Sequence, residues 1–306
     1  MISLIIPLYR EEQGLDATVA AARKALGALA QSCEIILVDD GSDDGTWDAI
    51  ARHAAAGGVR GLRLSRNFGK EAAICAGLEA SRAQAAIIMD GDLQHPPELI
   101  VQMVELWRGG KADIVEAVKP RRPREPLTAR LGSMVFYRLL RRLSGFDLTG
   151  ASDFKLLDQR VCEAYRRMGE RALFFRGMIA WLGFRRVQIP FEVPDRPNGR
   201  SKWRFGALWS LATTGLTAFS SSALRIVNWL AAVFLVLAVV LGVRALWVFF
   251  TGQPGAGITT VIILQLLTGG FVLLGLGIIG EYIARIYEEV KARPRYVVAE
   301  RTGSNE

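Results

Sequence analysis

The 306-residue chain predicts an α/β protein, a mostly parallel sheet domain covered by helices and followed by a C-terminal two-helix transmembrane hairpin. Two observations carry this. Through about the first 120 residues, short β-rich runs alternate with helix-length stretches, as repeated βαβ units do. Near the C-terminus, Trp229 to Phe250 is 22 residues with Arg244 as its only charge, and Ile258 to Gly280 is 23 residues with none. At about 1.5 Å rise per residue, each run can cross a hydrocarbon core of roughly 30 Å.

The elements follow in order. Ile2 to Leu8, Glu34 to Val38, Leu62 to Ser65, Ala85 to Met89 and Asp113 to Val118 are apolar, β-rich runs that read as strands. Gln13 to Leu29, Gly45 to Ala55, Lys70 to Ala80 and Pro97 to Trp107 read as the intervening helices. In such a sheet, ligands gather at the carboxyl ends of the strands. Polar motifs stand there: Pro7-Leu8-Tyr9-Arg10-Glu11-Glu12 after the first strand, Asp39-Asp40-Gly41-Ser42 after the second and Asp90-Gly91-Asp92 after the fourth. No Gly-rich phosphate loop of the Walker or Rossmann kind is present.

The organisation expected is a catalytic domain over 1–204 with a basic interfacial segment at about 119–145, and an amphipathic interfacial segment over 205–225. Transmembrane helices over 226–250 and 258–280 and a C-terminal segment over 281–306 complete it. Thr251 to Gly257, uncharged and glycine-rich, forms the hairpin turn, and basic residues flank the outer ends, with Arg225 before and Arg285, Lys291, Arg293 and Arg295 after. The positive-inside rule then keeps both flanks, and the large N-terminal part, in the cytoplasm. The N-terminus has no signal-peptide pattern. The three cysteines, Cys33, Cys75 and Cys162, lack metal-ligand spacing and fit a reducing compartment. A multi-pass protein of the inner membrane is expected.

Charge is concentrated. Lys119 to Arg142 holds eight basic residues and one acid, +7 of the chain's net +8. A solvated helix face or a nucleic-acid strip would look similar. Interspersed Leu131, Met134, Val135, Phe136, Leu139 and Leu140, beside membrane spans, fit an amphipathic segment at the headgroup layer better. No nucleic-acid partner is expected. Arg121, Arg124, Arg130 and Ser133 become candidates to bind a lipid phosphate, for which guanidinium forks are suited.

Asp90-Gly91-Asp92 carries the chemistry. Two carboxylates one residue apart at the end of a buried strand can hold a hard divalent cation, Mg²⁺ or Mn²⁺, against a pyrophosphate. The same triplet also makes an ordinary polar turn. If the segment stays extended, Asp90, Asp92 and Gln94 point the same way, with Asp92 and Gln94 as metal ligands. His95, followed by Pro96 and Pro97, is expected to set the turn more than to bind metal.

On these residues the chain resembles the family 2 glycosyltransferases of GT-A (Rossmann-like) fold, in particular their polyprenyl-phosphate branch. The resemblance is carried by Pro7 to Glu12, Val38-Asp39-Asp40-Gly41-Ser42, Leu64 to Lys70, Asp90 to Pro97, Ser152-Asp153-Phe154-Lys155-Leu156, Asn198 to Lys202 and the hairpin. It implies a metal-dependent, inverting transfer of one sugar from a nucleotide-sugar donor, UDP-glucose or another UDP-sugar or GDP-mannose, to an undecaprenyl-phosphate-like acceptor. By the same resemblance Pro7, Tyr9, Glu11, Asp39, Lys70, Asp90, Gly91 and Asp92 bind the donor. Arg200 and Lys202, after the Pro194 to Gly199 loop, close over its diphosphate. Asp90 and Asp153 are the catalytic carboxylates. Because a phosphate monoester has a second pKa of about 6, the acceptor is largely ionised at neutral pH, and Asp153 is expected as base or as an orienting charge. Arg10 stands where the family usually has asparagine.

A homo-oligomer through the hairpins is implied as well, with Gly269, Gly270, Gly275, Gly277 and Gly280 allowing close helix approach. A processive polysaccharide synthase would share the early motifs, but its Gln-x-x-Arg-Trp signature is absent from the sequence. A non-enzymatic scaffold or lipid-translocation partner would have no need of Asp90, Asp92, Gln94 and Asp153 together.

Overall fold

The structure is a computed structural model that describes residues 1–29, 32–118, 152–171, 173–191, 222–251 and 257–303. The chain divides into two compact units, one of Met1–Arg141, Phe146–Lys202 and Arg293–Glu306, the other of Arg142–Gly145 and Trp203–Ala292.

The first unit contains β1 (Ile2–Leu8), α1 (Leu15–Gly27), β2 (Cys33–Asp39), α2 (Thr46–Ala55), β3 (Val59–Leu64), α3 (Lys70–Ala80), β4 (Ala85–Ile88), α4 (Leu99–Arg108) and β5 (Ile114–Val118). There follow β6 (Lys155–Asp158), α5 (Gln159–Arg167), α6 (Phe175–Trp181) and β7 (Arg186–Pro190), with β8 (Val298–Thr302) near the C-terminus. Among the described residues the eight strands form one sheet in the order β7-β5-β6-β4-β1-β2-β3-β8. The pairings make β1 to β5 and β7 run one way, with β6 and β8 antiparallel. All seven residues of β1 are buried, as expected of a strand covered on both faces. Inside it Ser3 is satisfied by donating to Glu34 Oε1 and accepting from Ser81 Oγ at 2.8 Å.

The strand order places the ligand crevice. From β1 the chain builds outward through β2 and β3, then returns to lay β4 on the other side of β1. Connections on the two sides diverge at that point, leaving an opening at the carboxyl ends of β1 and β4. Although β6 is antiparallel, its leading residues Ser152, Asp153 and Phe154 lie at this same edge, because Lys155 pairs with Ile88 at the end of β4.

The five predicted strands and four predicted helices are present, β1 and α3 with the predicted bounds. The elements α5, α6 and β7 were not expected, and four further features differ. The strand β6, placed between β4 and β5, was not expected from a run of βαβ units. Residues 90–94 turn instead of staying extended: Leu93 has φ 53°, and the Gln94 N–H donates to Asp92 Oδ1 at 3.1 Å. The side-chain alternation used to align Asp90, Asp92 and Gln94 therefore does not apply, since a short Asx-type turn competes successfully with the strand. The last helix runs on past Gly280 to Val290, and within the expected C-terminal segment 281–306 Val298–Thr302 joins the sheet as β8.

The second unit contributes α7 (Ser222–Thr251) and α8 (Gly257–Val290). Ala231–Val248 and Leu264–Val290 are long and apolar enough to cross a membrane. Large apolar side chains along both, including Val236, Trp247, Phe250, Leu266 and Leu273, are exposed. Phe234 and Phe271 pack together with ring centroids 4.3 Å apart. Thr251 and Thr268 return their hydroxyls to the carbonyls of Trp247 and Leu264, which keeps polar atoms paired inside an apolar helix. The expected interfacial segment at 119–145 and residues 205–221 of the one expected at 205–225 lie outside the described residues, while residues 222–225 open α7.

Candidate active site at the carboxyl edge of the sheet

A cleft of about 450 Å³ opens at the carboxyl ends of β1 and β4, within the size range of small-molecule sites. The β1 end supplies Pro7, Tyr9 and Glu11. Tyr9 is 40% exposed. Beside it Arg10 takes φ 55°, a left-handed conformation in which asparagine is favoured among residues with a Cβ. That agrees with the asparagine that the resemblance implies at this position. Arg10 is held by Asp43, whose carboxylate accepts from Nε and Nη2 at 2.6 Å each. The Arg10 and Glu11 N–H groups donate to Ser42 Oγ and Thr46 Oγ1, which ties this loop to the start of α2.

The β2 end presents Asp40 to the cleft. Its two oxygens accept from the Phe68 and Gly69 N–H groups, both at 2.8 Å, and so shape the loop that delivers Lys70. Burial raises the Asp40 pKa, and the two N–H donors oppose that. Asp39, expected at the nucleotide, is fully buried at the end of β2, with Oδ1 accepting from the Ser42 N–H at 3.0 Å. The turn after it needs Gly41, at φ +67°, where a Cβ would lie 2.3 Å from the Arg66 carbonyl carbon.

Lys70, the first residue of α3, joins the two sides of the site. Its Nζ is 2.6 Å from Asp90 Oδ1 and 2.7 Å from Asp153 Oδ2. Arg176, on α6, forks onto Asp153 with Nε to Oδ1 at 2.7 Å and Nη2 to Oδ2 at 2.9 Å. Asp153 is buried. Burial alone would raise its pKa, but Arg176 and Lys70 outweigh it and hold the carboxyl well below the usual range. For Lys70 burial works against the charge, and Asp153 and Asp90 overcome it, so its pKa is raised. Behind this cluster Glu71 accepts from the Phe175 N–H at 2.8 Å. Burial, then the charge of Asp153, pushes the Glu71 carboxyl up to about 7.

The triplet sits on the floor of the cleft. Thr18 on α1 pins it by donating to the Gly91 carbonyl at 2.7 Å. His95 is buried, stacks on Phe154 at 5.0 Å, and takes the Asp90 N–H on Nδ1 at 3.3 Å, the turn-setting part expected of it. Asp92 is exposed at the mouth and lies near enough to Glu11 to raise that carboxyl's pKa, after burial. Among the described residues no group of three or more His, Cys, Asp or Glu forms a protein-only metal cage. The donor set fits a cation that is carried in part by substrate. Asp92 offers a hard oxygen, the Asp92 and Glu11 charges would be relieved by a cation, and ions such as Mg²⁺ use one or two carboxylates plus phosphate oxygens.

The structure thus brings Pro7, Tyr9, Glu11, Lys70, Asp90, Gly91, Asp92 and Asp153 to one edge, with Asp39 behind it. Arg121, Arg124, Arg130, Ser133, Arg200 and Lys202 lie outside the described residues. Asp40, Glu71 and Arg176 were not anticipated. The signal available for Arg176 was a lone cation inside the apolar run Leu173-Phe174-Phe175-Arg176-Gly177-Met178.

The sheet, the switch-point cleft and the acidic triplet define a GT-A glycosyltransferase. The chain belongs to glycosyl transferase family 2, whose model matches residues 3–169. Relatives match it nearly end to end. An uncharacterised glycosyltransferase of Synechocystis is 35% identical over 305 residues, covering 99% of this chain and 96% of the relative. The bactoprenol glucosyl transferase of Shigella phage SfX is 33% identical over 306 residues, covering 98% and 99%. Among solved structures, mannosyl-3-phosphoglycerate synthase from Rubrobacter xylanophilus shares the fold, with a TM-score of 0.52, 16% identity and 72% of each chain covered.

Proposed function

We propose that this glycosyltransferase moves one sugar from a nucleotide-sugar donor, a UDP-sugar such as UDP-glucose or GDP-mannose, to an undecaprenyl-phosphate-like polyprenyl phosphate. The observation that carries the donor half is the meeting of Asp90, Asp92 and Lys70 in one cleft at the switch point. The acceptor half is supported by two helices apolar enough to cross a membrane and by full-length relatives named for bactoprenol. The enzyme then works at the inner membrane with its catalytic unit facing the cytoplasm. Confinement to the bilayer raises the effective concentration of a lipid acceptor.

In the transfer, an oxygen of the acceptor phosphate attacks the anomeric carbon while the bond to the donor diphosphate breaks. The electron pair leaves on the nucleoside diphosphate. Asp92 and, by the family resemblance, Gln94 would hold the divalent cation, Mg²⁺ or Mn²⁺, which as a Lewis acid would supply stabilisation for the leaving diphosphate. Lys70 adds fixed positive charge beside Asp90, set before the reaction. The acceptor oxygen, with a second pKa of about 6, needs no base at neutral pH. Asp153, held far below that value, serves as the anion that orients Lys70. Tyr9, Glu11 and Pro7 border the nucleotide; Arg121, Arg124, Arg130 and Ser133 take the lipid phosphate, and Arg200 and Lys202 the donor diphosphate.

The test supplies purified full-length protein with polyprenyl phosphate and, separately, UDP-glucose, UDP-galactose, UDP-N-acetylglucosamine and GDP-mannose. One donor is expected to give a lipid-linked monosaccharide, with metal and not with chelator. Polymer, or no lipid-linked product from any donor, contradicts the proposal.

A further inference from the structure

The C-terminal strand β8 closes the edge of the sheet beyond β3, the neighbour of β2, whose end carries Asp39 and Asp40. It pairs antiparallel with β3, and Arg63 and Glu300 are direct partners, with the register shifting between Arg63 and Leu64. An irregularity of that kind re-aims the side chains next to it. The seat is built for close approach. At Gly61 a Cβ would come within 2.6 Å of Thr302 Cγ2 and 2.5 Å of Ile50 Cγ2.

Glu300 uses both of its oxygens. Oε2 accepts from Trp47 Nε1 at 3.0 Å, and Oε1 from Arg63 Nη1 at 2.8 Å. On the far side of the same guanidinium, Arg63 Nε stands 3.7 Å from Asp39 Oδ2. That is ion-pair distance and beyond a hydrogen bond. Asp39 Oδ2 is buried and has no hydrogen-bond partner, while Oδ1 is taken by the Ser42 N–H. A buried, unsatisfied carboxylate oxygen in a native fold needs an explanation. Here the competing carboxylate of Glu300 supplies one, since it engages the cation that would otherwise close on Asp39.

We infer that Glu300 is a positioning residue of the donor-nucleotide site: it holds Arg63 beside Asp39 while leaving Asp39 Oδ2 for an N–H donor of the nucleotide. The inference rests on the nucleotide-sugar reading proposed above. The oxygen is covered, so a base reaching it parts the side chains over the strand end as it binds. The segment that follows the second apolar helix in the chain thereby becomes part of the donor site. As an exposed ion pair Glu300–Arg63 adds little stability, so its effect belongs in binding.

The experiment titrates UDP and GDP separately into full-length protein, as wild type, Glu300→Gln, Arg63→Gln and the double variant. In Glu300→Gln, Arg63 loses its charged partner and closes on Asp39. The nucleotide that wild type binds is then held about tenfold more weakly, the value of one charge-assisted hydrogen bond. The donor KM rises similarly while kcat and the acceptor KM stay within about twofold. In the Arg63→Gln background the same substitution changes affinity less than about twofold, because its route is gone. Unchanged affinity in Glu300→Gln overturns the inference and leaves the nucleotide reading intact. An equal loss in both backgrounds also overturns it, by showing that Glu300 acts through strand docking alone. Wild type that binds neither nucleotide removes both. If Glu300→Gln does not fold, Arg63→Gln alone decides: binding at least as tight as wild type supports the inference, and a tenfold loss overturns it.

Discussion

Asp153→Asn separates a fixed anion from a catalytic base. Asp153 takes three short contacts, one from Lys70 and two from Arg176, and is 6% exposed, while the two cations are 41% and 40% exposed. Removing one member of a fully buried ion pair costs about 3–5 kcal/mol, and solvent screening of the two cations reduces that here to about 2 kcal/mol. For a unit of this size that is a fall in melting temperature of roughly 4–8 °C. The direction with pH follows from the depressed pKa. The stabilisation is complete above the ordinary carboxylate range and is lost only as pH falls through the lower native value. Because the Asp153 charge also raises the Glu71 pKa, between about pH 5.5 and 9 the loss in the variant is largest at the acid end and smaller above about pH 7, where the variant relieves Glu71. Activity is read from initial rates of lipid-linked product over the same interval. Wild type should lose activity on the acid side near the acceptor's second pKa of about 6, and Asp153→Asn should be slower with the same acid limb. Disappearance of that limb in the variant would refute the fixed-anion role and restore Asp153 as the base.

Substitutions at two further positions test the surroundings. Glu71 has its pKa raised to about 7 from the usual 4.5, so the folded protein holds a proton there that the unfolded chain releases. Stability from this group therefore falls as pH rises from about 4.5 to 7, by at most about 3 kcal/mol. Glu71→Gln, which keeps an acceptor for the Phe175 N–H, should melt several degrees above wild type at about pH 8 and level with it at about pH 5; an equal offset at both contradicts the shift. Arg10→Asn should raise the melting temperature by about 2 °C because asparagine tolerates φ 55°, whereas β-branched Arg10→Val should lower it. If valine is tolerated as well as asparagine, the left-handed backbone there is not constraining.

Much of the first unit was legible because strands covered on both faces are written as apolar runs. β1 has every residue buried, and the predicted bounds match. β6 was hidden by its own chemistry. It begins with Lys155, 1% exposed and 2.7 Å from Glu116, its cross-strand partner on β5, so a buried ion pair reads in the sequence as two surface residues. Burial lowers the Lys155 pKa, with Glu116 opposing. Edge strands β7 and β8, Arg-Val-Gln-Ile-Pro and Val-Ala-Glu-Arg-Thr, have too few buried positions to show a period. In the site, the triplet was visible because strand ends collect ligands, and Lys70 through the family resemblance. Arg176 was not, since its partner Asp153 is 23 residues away and meets it only through the packing of α6. Asp39 and Asp40 were indistinguishable by type. Both are buried, and their surroundings separate them: Asp40 lines the cleft and takes the Phe68 and Gly69 N–H groups, whereas Asp39 takes the Ser42 N–H.

The most direct test of donor chemistry at the triplet is Asp92→Asn. Asp92 is exposed and its folding contact in the turn, accepted from the Gln94 N–H, can be kept by asparagine, so the variant should melt like wild type. The measurement is release of nucleoside diphosphate matched to formation of lipid-linked monosaccharide, across a titration of Mg²⁺ and Mn²⁺. The proposed site predicts a loss of about a hundredfold or more in kcat/KM, as for removal of a group that stabilises developing charge, together with a large rise in the metal needed. Near-normal transfer with an unchanged metal requirement would contradict the assignment of Asp90-Gly91-Asp92 as the place where the donor diphosphate is held.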